Sequence, residues 1–92
     1  MPYITKKQRA IIDERIQDIL AYLDNAREYS SASCDGEINY IITRILSTYY
    51  NNKGYSGYNR AIGVLECAKL EFYRRLVAVY EDKKKESEGD VY

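Results

Sequence analysis

The chain has 92 residues, 46% hydrophobic and 30% charged, and its 14 Lys and Arg balance its 14 Asp and Glu. That neutrality argues against sequence-independent binding to duplex DNA, which needs a basic surface; the absence of histidine removes the commonest general base and most zinc or iron sites. One domain with a thin core is expected, burying about 60–65% of its unfolded surface, so oligomerisation is a natural supplement.

Thr5-Lys6-Lys7-Gln8 matches the capping box that opens a helix. Beyond it Ile12, Ile16, Ile19, Leu23 and Ala26 recur at steps of four and three, which predicts an amphipathic helix over roughly residues 6–28. Its other face, with Lys7, Arg9, Glu14, Arg15, Gln17 and Asp18, reads as solvated. The N-terminal residues show no signal-type apolar region and no run reaches membrane-spanning length. The expectation is a cytoplasmic protein with no membrane partner.

Ser30-Ser31-Ala32-Ser33-Cys34-Asp35-Gly36 breaks the periodicity and predicts a loop, with Asp35 or Ser33 as the next N-cap. Ile38, Ile41, Ile42, Ile45, Leu46 and Tyr49 then mark a second helix over about residues 36–50, whose many β-branched residues make it dependent on packing. Asn39 and Thr43, with Arg44, form a polar line on its other side. Gly54 suits the left-handed residue just beyond a helix end, and Ser56 is the expected cap of the third helix.

The third helix is expected over about residues 57–85, long and apolar on more than one side. Tyr58, Ile62, Leu65, Phe72, Leu76 and Val79 make one stripe, interrupted by Lys69; Leu70, Tyr73, Val77 and Tyr80 point to another side. One face would meet the first two helices and the other a second copy of the chain. Gly63 in mid-helix costs about 1 kcal/mol relative to Ala, which suggests close approach of a helix or a ligand. Lys69 either snorkels with its amine in water or faces a polar cavity. Gly89 should end the helix, leaving Val91-Tyr92 to fray or to dock.

No enzyme, metal or cofactor signature is present. Glu66 and Glu71 lie about 140° apart around a helix, too far for a paired acid and base on one face. Cys34 and Cys67 read as a loop residue and a small buried filler rather than a disulfide. Tyrosine is the anomaly, 11 against one Phe and no Trp; such composition fits half-wet interfaces and clefts, or a small core with Tyr at its rim. Candidate ligand contacts are Lys69, Arg74 and Arg75 for charge, with Asn39, Tyr40, Asn59 and Tyr73 for base or ribose recognition. The alternative role for the arginines is a salt bridge to Glu71.

Gly36-Glu37-Ile38-Asn39-Tyr40, Tyr58-Asn59-Arg60-Ala61-Ile62-Gly63-Val64-Leu65-Glu66-Cys67, Tyr73-Arg74-Arg75, Tyr80-Glu81-Asp82-Lys83 and the closing Gly89-Asp90-Val91-Tyr92 resemble a family of short uncharacterised phage and bacterial helical proteins. The resemblance runs from about Gly36 to the end and brings no established activity. It implies a phage or prophage origin, hence the host cytoplasm, and a small accessory role. Val79 stands where that pattern leads one to expect proline, so the third helix can run on unbroken.

The sequence thus predicts an all-α, three-helix domain with a long C-terminal helix, assembled as a homo-oligomer. Its expected function is non-enzymatic binding. One form is an oligomeric sponge for a cyclic-nucleotide-type signal in counter-defence, by analogy of architecture with small phage proteins of that kind. The other is a structural or protein-interaction module with no small-molecule ligand.

Overall fold

The computed structural model describes the backbone of residues 2–29 and 33–92 and the side chains of residues 2–26 and 33–92. Every regular element among them is helical, so the fold is all-α as the periodicity predicts. Helix α1 spans Lys6–Tyr29 and α2 spans Asp35–Tyr49. The third helix runs through three consecutive segments: α3 (Gly54–Phe72), a π-helical turn (Tyr73–Val77) and α4 (Ala78–Glu88). Contacts divide the chain into two units, one of Tyr3–Gly54 and one built on Tyr55–Tyr92.

The start of α1 is the expected capping box. The Gln8 backbone N–H donates to Thr5 Oγ1 at 3.1 Å, and the Thr5 N–H donates to Gln8 Oε1 at 3.0 Å. Two first-turn donors that would otherwise lack partners are thereby satisfied. At α2 the capping expectation needs correction. Cys34 holds the N-cap position without a side-chain bond to the helix. Asp35 lies inside the first turn, where its charge favours the positive end of the helix dipole, and Ser33 Oγ donates to its carboxylate at 3.0 Å. Cys34 Sγ donates instead to the Leu23 carbonyl at 3.6 Å, tying the start of α2 to α1. The expected loop residues Ser30, Ser31 and Ala32 lie outside the described residues.

Between α2 and α3 the chain turns in four residues. Asn52 at φ 55° and Gly54 at φ 68° take left-handed conformations, which asparagine and glycine tolerate best. Because this turn is so short, α3 begins at Gly54 rather than near residue 57. Ser56 therefore lies within the helix and does not cap it; its hydroxyl accepts from Arg60 Nη1 at 3.0 Å. At the far end Gly89, φ 92°, stops α4, and its N–H donates to the Lys85 carbonyl at 2.9 Å. Val79 is passed without a break, as a residue with an N–H to donate allows. Val91 and Tyr92 stand in the open, both highly exposed among the described residues.

Neither unit buries a large apolar side chain among the described residues. In the first, Ile19, Leu23, Ala26, Cys34 and Ile41 are half-buried, while Ile11 (58% exposed), Leu20 and Ile45 face outward. In the second, Ile62, Leu70, Phe72 (59%), Leu76 and Tyr80 are all exposed. Cys67, expected as buried filler, is exposed, and both cysteines are free thiols. A Cβ added at Gly63 would meet nothing within 4 Å, so the close approach expected at this glycine is not made by any of the described residues. Gly57 is the buried residue of α3.

Candidate functional site

Four of the candidate residues on the third helix, Lys69, Tyr73, Arg74 and Arg75, stand at or just before the π-turn. There the Ala78 N–H reaches the Tyr73 carbonyl, five residues back, where an α-helix would use four. Eight residues of regular α-helix overshoot two full turns by about 80°. The wider π-turn holds the winding back, and Tyr73 Oη donates to Glu81 Oε1 eight residues on, at 3.4 Å. Single π-turns inside α-helices occur often at functional positions.

Around this turn the charges are partly paired. Lys69 Nζ donates to Glu66 Oε1 at 3.5 Å, with both side chains more than half exposed. That answers the two readings of Lys69 in favour of an ammonium group in water, and such a pair contributes little to stability. Arg74 Nη2 donates to Glu71 Oε1 at 2.7 Å, and the Glu71 side chain is only 23% exposed. The sequence pairs Glu71 with Arg75 at i,i+4; the structure pairs it with Arg74 at i,i+3. Arg75 meets no carboxylate among the described residues.

The remaining candidates lie elsewhere. Asn59 precedes Tyr73 by fourteen residues, about 21 Å along the helix, farther than one mononucleotide spans. Asn39 and Tyr40 belong to the first unit. There Asn39 Oδ1 accepts from Thr43 Oγ1 at 3.2 Å, and Tyr40 lines a cleft between α1 and α2. Lys69, Tyr73, Arg74 and Arg75 thus lie within about 9 Å along the helix axis, Lys69 and Tyr73 on one line and the two arginines turned to other sides, while Asn59 lies apart on the same helix and Asn39 and Tyr40 belong to the other unit.

Periodicity does not disclose the cleft. Asp18 falls on the face of α1 read as solvated, yet it lines this cavity with Ile19 and Tyr22, opposite Glu37, Tyr40 and Ile41. The usable signal was the i,i+4 spacing of Asp18 and Tyr22, which places a carboxylate and a ring on one line. Among the described residues no group of His, Cys, Asp and Glu is placed to hold a metal ion, and no helix is long and apolar enough to cross a membrane.

These features define a small all-α protein whose apolar stripes remain exposed on the single chain. The model of a family described as a domain of unknown function, DUF6899, matches residues 1–91, and the chain belongs to that family. No curated protein and no solved structure matches it.

Proposed function

We propose that this chain is a non-enzymatic binding module that acts as an assembly, its first partner being further copies of itself. The observation that carries the reading is the exposure of Ile11, Leu70, Phe72 and their neighbours on both units. Ordering 92 residues costs on the order of 100 kcal/mol in chain entropy, and isolated helices in water are marginal. Burying apolar stripes offsets that cost, at roughly 1.5–3 kcal/mol for each large side chain taken fully out of water. A partner surface is the available source of that burial. The 11 tyrosines suit such a role, since their rings pack while their hydroxyls stay wet. Light scattering on the full chain should give a mass that is a multiple of 10.8 kDa. A single 10.8 kDa species at micromolar concentration that is nonetheless folded would sink the reading.

A second reading is favoured by Arg75. This guanidinium has no carboxylate partner among the described residues and stands on the π-turn beside Tyr73 and Arg74. An unpaired arginine offers charge for a nucleotide phosphate, but Arg75 and Tyr73 are two positions apart and face different sides of the helix, so the ring that takes the base would have to come from a second copy. On this reading the assembly is a sponge that withdraws a cyclic-nucleotide signal, a counter-defence role in keeping with a phage or prophage accessory protein. The nearby Glu66, Glu71 and Glu81 weigh against it on a single chain, so the site would need a second copy to be complete. A thermal-shift panel of cyclic nucleotides tests it. At least one should raise Tm by several degrees at saturation, and Arg75→Ala should abolish the rise.

A further inference from the structure

The cleft between α1 and α2 has a chemistry that neither reading above uses. Asp18, Tyr22, Glu37 and Tyr40 line a cavity of about 620 Å³ together with Ile19 and Ile41. That volume lies within the range of roughly 300–1,000 Å³ common for small-molecule sites. We infer that the cleft binds a small organic cation, an alkylammonium ion on an apolar stem such as a diamine or polyamine.

The lining fits that ligand part by part. Among the described residues it is lined by two carboxylates and no basic side chain, and neither carboxylate is engaged there in a salt bridge. On each helix the carboxylate and the ring lie on one line, Asp18 with Tyr22 at i,i+4 and Glu37 with Tyr40 at i,i+3. The face of a tyrosine ring attracts an ammonium group. This chain makes such contacts elsewhere, with Lys53 Nζ 5.6 Å from the Tyr49 ring centre and Lys84 Nζ 5.9 Å from that of Tyr80. Ile19 and Ile41, both half-buried, offer apolar surface to a methylene stem, as the stems of lysine side chains find on proteins generally. Gly36 also lines the cleft, and a Cβ there would meet nothing within 4 Å, so the space beside it is open. A phosphate in the same place would face two carboxylates, which turns Tyr40 away from the anion role its sequence context suggests.

The test is NMR of the full-length chain with labelled tyrosine rings, titrated with 1,5-diaminopentane and with spermidine at fixed ionic strength. Tyr22 and Tyr40 should shift saturably, while the outward-facing Tyr55 and Tyr92 should not. The near-isosteric double substitution Asp18→Asn with Glu37→Gln should weaken binding at least tenfold. Gly36→Leu, which fills the open space, should abolish it with the helical circular-dichroism signal retained; if that variant fails to fold, the double substitution decides. Linear shifts shared by all the tyrosines and reproduced by sodium chloride would overturn the inference, as would no shift at all. It would also be overturned if the amines had no effect while Asp18→Lys with Glu37→Lys lowered the mass in solution, since the cleft would then hold a lysine of a second copy. The readout is local to Tyr22 and Tyr40, so its outcome is separate from whether the chain assembles.

Discussion

Thr5 and Gln8 make two reciprocal bonds at the start of α1, so removing the hydroxyl leaves a first-turn N–H to water. Thr5→Ala should lower stability by about 0.5–2 kcal/mol in urea titration, with no change in helix positions. Gly63 carries the opposite prediction. Its surroundings on the single chain are open, so Gly63→Ala should stabilise the third helix by about 1 kcal/mol, a rise in Tm of roughly 4–8 °C for a chain of this size. A fall in Tm with loss of mass would instead mark Gly63 as a point of contact between copies. Capping was readable from sequence at Thr5 because the box lies within four residues. It was not readable at α2, where Ser33 bonds to the side chain of Asp35 and not to the helix.

The third helix shows what an element can hide. Its length and the glycine that ends it follow from residue pattern, because an unbroken run without proline extends and a left-handed residue stops it. The π-turn does not follow from pattern, since Tyr73–Val77 contains nothing that forbids ordinary α-helix. With its bonds reaching five residues back, this turn should open more readily than its flanks. Hydrogen exchange should find the amides of residues 74–78 less protected than those of 64–70, and equal protection would argue against a π-turn in solution. The turn also changes which residues share a line. Tyr73 reaches Glu81, while Glu71 holds Arg74 in place of the expected Arg75. Which arginine is left for a ligand was therefore settled by the local winding of the helix.

At the scale of the molecule, the exposed stripes make concentration the controlling variable. If assembly supplies the burial, Tm should rise with protein concentration in scanning calorimetry, and dilution should lower helix content. Leu70→Asp, at a side chain 56% exposed on the single chain, should cost little in a monomer but lower both mass and Tm in an assembly. A change within about 0.5 kcal/mol, as for an ordinary surface position, would mean that this face meets nothing.

The sequence by itself determined the all-α class, three helices within a few residues of their observed ends, and a Tyr-rich surface. These depend on periodicity, caps and turns, which act over a few neighbouring residues. The local winding of the third helix decided which carboxylate holds which cation around Lys69, Tyr73 and Arg74. Tertiary structure decided that Asp18, Tyr22, Glu37 and Tyr40 line one cleft. The first rests on a π-turn that no residue within it announces; the second joins two helices, and periodicity along one helix does not encode its distance from another.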